Sequence, residues 1–209
     1  GINVNVRSLI IRVLDIPFVD RFKHNMKDRG ASDAIVAKVT LDDGTIGYGE
    51  GLPRSYVTGE TTETVVEQVR SVLAPALHKS DLDVQNPLES IDQSLSGLDS
   101  APAEGVHAHH SARCLVELAT LDALLKSNNT GLDQVLSPRR HRMTYSGVIG
   151  GSSIDGVIKR ARQMRYFGLQ QIKIKVGVDD VLETVSTVRS IMGDDAVLRV
   201  DANGAWTLD

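Results

Sequence analysis

The chain has 209 residues, of which 41% are hydrophobic and 24% charged, the composition of an ordinary globular protein. Its net charge of −4 gives no general attraction to nucleic acid or to an anionic membrane, so neither is an expected partner. No apolar run reaches the roughly 18 residues of a membrane span, no signal peptide opens the chain, and one cysteine cannot form an intrachain disulfide, so we predict a cytoplasmic protein.

The first part of the chain predicts a small antiparallel sheet. Strands rich in valine and isoleucine are expected over Val4–Leu14, Ala34–Leu41 and Thr45–Glu50. Pro17 is expected to end the first strand, and the turn sequence Asp42-Asp43-Gly44 joins the other two. The polar stretch Phe18–Ser32 is predicted to be a long functional loop.

Helices follow the sheet. Apolar residues recur at helical spacing over Thr62–Leu77, Leu88–Leu98 and Ser111–Lys126. Gly131 is expected to mark the end of the third helix. Cys114 lies in the apolar part of that helix, which predicts a buried structural thiol.

A strand–helix alternation begins after Arg142. Strands are predicted over Met143–Ile149, Gln171–Val176 and Ala196–Val200, with helices between them. Such βα repeats predict a parallel sheet with right-handed crossovers. The chain therefore divides into an α+β domain, residues 1–141, and an α/β domain, residues 142–209. Three strands leave an open edge and a closed barrel takes about 250 residues, so we expect the native chain to continue or a second chain to supply the rest.

Two strands of the α/β domain end in polar residues. Lys173 and Lys175 alternate onto one face of the second strand, where mutual repulsion and burial favour a general base. Asp201 and Asn203 follow the third strand, where a carboxylate could bind Mg²⁺. Solvated lysines on an edge strand and an ordinary Asp/Asn turn remain the alternatives. Neighbouring strands would bring both pairs to one cavity, where a lysine beside a hard cation could remove a proton alpha to a carboxylate.

These residues resemble motifs of the enolase superfamily, muconate-lactonizing subgroup. Lys173-Ile174-Lys175 is similar to its K-x-K motif, and Asp201-Ala202-Asn203 to its D-x-N motif. Gly47-Tyr48-Gly49-Glu50 resembles part of its capping domain, and Val116–Asp122 its long helix before the barrel. The resemblance covers essentially the whole chain. It implies an α+β capping domain followed by the start of a (β/α) TIM-type barrel.

The resemblance also implies roles for individual residues. Lys175 would be the acid/base, and Lys173 would tune it and contact the substrate carboxylate. Asp201 would be the first ligand of Mg²⁺, with Mn²⁺ as the alternative metal, and Asn203 a supporting contact. Two loops of the capping domain, Phe18–Arg29 and Pro53–Glu60, would close over the substrate. Their candidate substrate-binding residues are Phe22, His24, Arg54 and Tyr56.

The implied function is a Mg²⁺-dependent isomerase of the muconate cycloisomerase type, acting on a small carboxylate substrate through an enediolate. A dipeptide epimerase, an N-acylamino acid racemase and an o-succinylbenzoate synthase-like enzyme share the same lysine and metal frame. The family's further metal ligands and its second lysine lie beyond Asp209, so we expect the 209 residues alone to be inactive. An inactive fragment that serves as an interaction module is the alternative of another class. Related enzymes also imply a homo-oligomer.

Other motifs point to less. In Gly47-x-Gly49-x-Gly51 the third glycine is misplaced for a dinucleotide fingerprint and no helix follows, so nucleotide binding is not predicted. The histidines 107, 109 and 110 are interpreted as a solvated helix start rather than a zinc site. The basic cluster Arg139–Arg142 is interpreted as a solvated linker. Trp206 is expected either to line the site or to pack beneath it.

Overall fold

The computed structural model describes residues 2–24, 27–98, 106, 108–150 and 153–208, and the side chains of 19–24 and 27–31 lie outside that description. The chain forms two compact units. The first consists of Gly1–Pro17 with Ala31–Pro138, and the second of Phe18–Gly30 with Arg139–Asp209.

An antiparallel sheet organises the first unit. The first seven strands of the chain are β1 (Asn3–Val4), β2 (Val6–Val13), β3 (Ile16–His24), β4 (Lys27–Ser32), β5 (Ile35–Leu41), β6 (Ile46–Gly51) and β7 (Leu82–Asp83). Most of the hairpin β3–β4, residues Phe18–Gly30, belongs to the second unit. The main sheet has the order β2-β5-β6, and β1 pairs with β7. The predicted strands of this sheet are thus present.

The hairpin β3–β4 corrects the prediction of a loop over Phe18–Ser32. These residues form two strands that pair with each other. Pro17 does not end a strand but is the second residue of β3. The two strands pair through main-chain hydrogen bonds, and their sequence is mostly polar. A regular alternation of apolar residues, from which strands could be predicted, is therefore lacking.

Four helices pack against the main sheet or against one another. They are α1 (Thr62–Gln68), α2 (Ala74–His78), α3 (Pro87–Leu95) and α4 (His110–Ser127), and a short α5 (Leu132–Val135) follows. A π-helical turn, Val69–Leu73, joins α1 to α2. Pro75, two residues beyond the end of this turn, lacks the N–H of a regular helical hydrogen bond. The core of the unit is the set of side chains between these helices and β5, among them Ile35, Val39, Val65, Leu77, Leu115 and Leu124.

Two details of α4 differ from expectation. The helix ends at Ser127 and is terminated by Asn129, whose φ of 49° lies in the left-handed region, and the Thr130 N–H donates to Leu125 O at 2.9 Å. Gly131 instead caps the start of α5. Cys114 is exposed, not buried. Apolar residues occur on every side of α4, and Cys114 falls on the side away from Leu115 and Ala119, which are buried.

Strand β6 lies unusually close to α4. A Cβ placed on Gly47 would lie 2.3 Å from Ala119 O, and one on Gly49 would lie 2.3 Å from Leu115 O. Glycine is thus required at both positions, because the backbones of strand and helix touch where a side chain would stand. The Gly-x-Gly-x-Gly pattern is therefore a packing feature. Asp122 of α4 adds a hydrogen bond between helix and strand by accepting the Tyr48 N–H at 2.8 Å.

The second unit contains a parallel βαβαβ arrangement. Its elements are β8 (Ser146–Ile149), α6 (Ile154–Tyr166), β9 (Gln171–Lys175), α7 (Val181–Met192) and β10 (Val197–Asp201). The sheet order is β10-β9-β8, and both pairings are parallel, as predicted. Ile149, Ile172, Ile174 and Val188 are fully buried between the sheet and the two helices. Over the described residues no helix has the length and hydropathy to cross a bilayer.

Candidate functional site

The open face of the parallel sheet carries its charged residues. Along β9, Ile172 and Ile174 are buried, whereas Lys173 and Lys175 alternate onto the opposite face, as the sequence pattern predicts. In β10, Arg199 lies beside Lys173 in register and Asp201 lies beside Lys175. Three cations and one carboxylate therefore share one face near the carboxyl ends of two adjacent strands.

Lys173 and Asp201 form an ion pair. The Lys173 ammonium donates to Asp201 Oδ2 at 2.7 Å, with the two side chains 38% and 25% exposed. The Asn203 N–H donates to Oδ1 at 2.9 Å. The Lys173 hydrogen bond, and after it the Asn203 N–H, hold the pKa of Asp201 below its ordinary value. Asp201 thus stays a carboxylate through the neutral range.

The loops after β9 and β10 are tied to each other. The Val176 N–H donates to Asp201 O at 3.1 Å, and the Trp206 indole N–H donates to Gly177 O at 2.9 Å. Asn203 has a φ of 48°, in the left-handed region that Asn tolerates. Its described contact with Asp201 is made by the main chain. Trp206 was expected to line the site or to pack beneath it. In the structure it joins the two strand-end loops.

Lys175 stands against Gly150, the residue after β8. A Cβ on Gly150 would lie 3.7 Å from both Cβ and Cδ of Lys175, an ordinary van der Waals distance. The end of β8 therefore forms a wall beside the aliphatic part of Lys175.

Arg199 is a further member of this face, outside the Lys-x-Lys and Asp-x-Asn motifs. Its guanidinium donates to Ser146 Oγ at 3.2 Å, across β9 from β10 to β8. The signal was present in the alternation of β10, where Arg199 and Asp201 are two residues apart. The face is therefore more cationic than the two lysines alone suggest, which suits an anionic ligand.

The residues of this face fit a magnesium ion only in part. Asp201 offers a charged oxygen ligand, and Mg²⁺ in proteins is often held by one or two carboxylates together with water and substrate oxygens. No group of three or more His, Cys, Asp or Glu side chains with metal-binding spacing occurs in the described portion of the chain. The described residues thus provide one plausible ligand and not a closed site.

In the first unit, the segment Pro53–Glu60 is folded into a compact turn. The Val57 and Thr58 N–H groups donate to Arg54 O, and the Gly59 N–H donates to Ser55 O at 3.1 Å. The Arg54 guanidinium donates to Asp33 Oδ1 at 3.1 Å and to Pro53 O at 2.7 Å. Tyr56 is 36% exposed. Both substrate-binding candidates of this segment are thus held on an ordered turn.

Glu60 closes that segment and was not singled out from the sequence. Glu60 is 1% exposed, and its carboxylate accepts the Ser111 N–H at 2.8 Å and the Ala112 N–H at 3.0 Å, at the start of α4. The Thr58 hydroxyl also donates to it, at 2.8 Å. The two main-chain donors of α4 lie 51 and 52 residues away along the chain, so no local pattern reveals these contacts.

Other candidates give less information. Phe22 lies in β3 and His24 ends it, but their side chains lie outside the described residues. His107 also falls outside them, and His110, the first residue of α4, is exposed. The basic residues 139–142 are exposed, in agreement with a solvated linker.

Fold and site define a class of protein, one in which βα repeats carry a Lys-x-Lys strand beside an Asp-x-Asn strand end. Residues 156–209 match the family described as "Enolase C-terminal domain-like". The N-succinyl-L-Arg/Lys racemase of Bacillus cereus is 25% identical over 207 residues, covering 97% of this chain and 53% of that protein. The L-Ala-D/L-Glu epimerase of Bacillus subtilis is 27% identical over 205 residues, covering 94% and 53%. Muconate cycloisomerase 1-1 of Acinetobacter lwoffii is 24% identical, covering 98% and 53%.

Solved structures show the same fold. The substrate-liganded L-Ala-D/L-Glu epimerase of Bacillus subtilis superposes with a TM-score of 0.80 at 23% identity, covering 97% of this chain and 54% of that one. The dipeptide epimerase of Enterococcus faecalis, complexed with Mg and the dipeptide L-Leu-L-Tyr, has a TM-score of 0.78 at 23% identity, covering 99% and 55%. The chain spans about half the length of these relatives. The resemblance to the enolase superfamily is confirmed, and its relatives there are isomerases, epimerases and cycloisomerases.

Proposed function

We propose that the chain is part of a Mg²⁺-dependent enzyme that removes the proton alpha to a carboxylate of a small substrate. The observation that carries the proposal is the cluster of Lys173, Lys175 and Asp201 at the carboxyl ends of two adjacent parallel strands. Active sites of βα barrels lie at that end of the sheet. The parallel unit would then be the start of a (β/α) TIM-type barrel, preceded by an α+β capping domain, with residues 1–141 and 142–209 as the two domains.

Each residue of the cluster receives a role. Lys175, with Gly150 against its stem, takes or returns the substrate proton. Lys173 provides positive charge beside it and contacts the substrate carboxylate. Asp201 contributes one carboxylate ligand to the metal, and Asn203 fixes that carboxylate through its main-chain N–H. A bound Mg²⁺ would act there as a Lewis acid that stabilises negative charge on the substrate.

Specificity is assigned to two segments that precede α1. The turn Pro53–Glu60 presents Arg54 and Tyr56, and the hairpin β3–β4 contains Phe22 and His24. We propose these four as substrate-binding residues. Arg54 is already oriented by Asp33, which supports its assignment as a fixed, charged contact rather than a freely moving surface side chain.

The reaction is proposed to be of the muconate cycloisomerase type. The second candidate is a racemase or epimerase of N-acylated amino acids or dipeptides, favoured by relatives whose names carry those activities at 25–27% identity. Both begin from the same lysine and metal frame. A homo-oligomeric state and a cytoplasmic location remain predictions of the sequence, as does inactivity of the 209 residues alone.

Proton exchange tests the proposal. The whole protein, supplied with Mg²⁺ in D₂O, is expected to exchange the α-proton of an N-succinylamino acid, a dipeptide or a muconolactone, followed by NMR. Lys175→Ala should lower the exchange rate by about 10²–10⁴-fold, the usual contribution of a general acid/base. Lys159→Ala, at an exposed position of α6, is the matched control and should exchange like the wild type.

The outcomes separate the classes of function. Exchange that survives Lys175→Ala would remove the catalytic role of that lysine. Binding of carboxylates without any exchange by the wild-type protein would favour the interaction module. No exchange by the isolated 209 residues is expected in either case.

A further inference from the structure

We propose that Glu60 is a positioning residue, which fixes the segment Pro53–Glu60, and with it Arg54 and Tyr56, by binding to the first turn of α4. The inference rests on the proposed function for its consequence at the substrate, but its physical basis is independent. A carboxylate with 1% exposure is costly to bury unless its oxygens are hydrogen-bonded. In Glu60 both oxygens are bonded, Oε1 to two donors and Oε2 to one.

The choice of partners identifies the role. The first N–H groups of a helix need acceptors, and these ordinarily come from the side chain of the N-cap residue. The N-cap of α4 is His109, which makes no capping hydrogen bond. Instead, Glu60 accepts the N–H groups of Ser111 and Ala112 from 51 and 52 residues away. Its charge also suits the positive end of the helix dipole. A local cap would stabilise α4 equally well, but only a distant one also attaches another segment.

Glu60 lies where the segment Pro53–Glu60 meets two helices. Gly59 has a φ of 77°, which ends the turn formed by Arg54–Thr58, and the next residue is Glu60. Thr61 then caps α1 through its own hydroxyl. Glu60 is thus the link between the turn that carries Arg54 and Tyr56, the start of α1 and the start of α4. At the other end of the turn Arg54 is bonded to Asp33. The segment is therefore held at both of its ends.

Hydrogen exchange tests the anchoring directly. In Glu60→Gln, one acceptor oxygen and the charge are lost while the size is kept. The amides of Ser111 and Ala112 should exchange faster by about tenfold or more, as expected for loss of hydrogen bonds to a charged acceptor. Those of Val57, Thr58 and Gly59, which donate to Arg54 O and Ser55 O, should also exchange faster, because the turn loses its anchor. Amides of β5 should be unchanged. Glu63→Gln, an exposed glutamate in the first turn of α1, is the control and should alter none of them. Thr58→Val keeps Glu60 and should give a smaller change of the same pattern.

A designed rescue separates positioning from capping. His109→Asp places an ordinary N-cap on α4, able to accept the same two N–H groups. Combined with Glu60→Gln, it should restore slow exchange at Ser111 and Ala112 but not at Val57, Thr58 and Gly59. In the whole enzyme, Glu60→Gln should raise the KM for the substrate at near-normal kcat. The double variant should keep this raised KM. Restoration of both the turn and KM would overturn the proposal, since Glu60 would then be a helix cap only.

Two further results also decide. Faster exchange spread uniformly over the first unit, or none at the turn, would contradict the anchoring. A wild-type protein without α-proton exchange would contradict the proposed function, while the exchange pattern of the turn would still determine whether Glu60 positions it.

Discussion

Strands β6 and β9 each repeat one residue type at every second position, glycine in β6 and lysine in β9. The repeated residues have opposite structural consequences in the two strands. On β6 the alternating residues are Gly47, Gly49 and Gly51, and the backbone of α4 occupies the space where their side chains would stand. On β9 they are Lys173 and Lys175, on the face opposite the buried isoleucines. The glycines of β6 allow a helix to pack directly on the strand, whereas the lysines of β9 place charges on an open face.

The comparison explains what each region can tolerate. Against α4 the limiting atoms are backbone atoms, which cannot move aside, so even a methyl group is excluded. On the face of β9 the limiting property is chemical, because the side chains there are partly exposed and replaceable without steric conflict. Substitutions should therefore affect stability at the first place and activity at the second.

The largest effect is expected for Gly49→Ala. The added methyl would lie 2.3 Å from Leu115 O and 2.5 Å from Ala119 N, so β6 and α4 must separate. We expect a loss of about 3 kcal/mol or more in the free energy of unfolding, at the upper end of overpacking costs. Urea denaturation followed by circular dichroism measures it.

Two glycines serve as controls for that change. Gly51→Ala meets Leu115 Cβ at 3.1 Å and should cost less than Gly49→Ala. Gly150→Ala meets only the stem of Lys175 at 3.7 Å and should leave the unfolding midpoint nearly unchanged. Equal midpoints for Gly49→Ala and Gly150→Ala would show that α4 is not held as close to β6 as the structure has it.

The sequence predicted the elements whose residues repeat within a few positions. The alternation of β9 placed Lys173 and Lys175 on one face, and the polar residues after β10 pointed to Asp201. Both signals can be read from a few neighbouring residues of the sequence. It could not determine which side of α4 is covered, since apolar residues lie on all sides, and so Cys114 was wrongly placed inside. The hairpin over Phe18–Ser32 was missed for a related reason, since strand pairing by main-chain hydrogen bonds leaves no periodic signal in a polar sequence.

Contacts between segments far apart in the chain could not be predicted from local sequence patterns either. Glu60 follows a turn and precedes a helix, a position typical of a solvated carboxylate, yet it is buried against residues 111 and 112. The glycines of β6 are a partial exception. Three glycines at alternate positions of a strand indicate a close backbone approach, although the approaching element cannot be named from the strand itself.

A smaller effect on stability is expected on the open face. Lys173→Met removes the ion pair with Asp201, but both side chains are partly exposed, and such pairs contribute little to folding. The urea midpoint should change hardly more than in Lys126→Met, which removes the exposed pair with Asp122 on α4. A much larger loss in Lys173→Met would mean that this face, like that of β6, is part of the structural core, and the contrast between the two strands would fail.

The smallest effect concerns the turn before β6, where side chains rather than backbones join the sheet to α4. The Ser127 hydroxyl donates to Asp43 Oδ2, and the Thr45 N–H donates to Oδ1 at 2.8 Å. The Ser127 hydrogen bond, and after it the Thr45 N–H, hold the pKa of Asp43 below its ordinary value of about 3.9. A carboxyl whose pKa is lower in the folded state stabilises the fold above its unfolded pKa, and the contribution is lost as the pH falls through the folded value. The stability difference between wild type and Asp43→Asn should therefore be constant from pH 7 to about pH 5 and shrink below about pH 4. Urea titrations at each pH measure it, and a difference that stayed constant down to pH 2 would show that α4 and the turn are joined without the charge of Asp43.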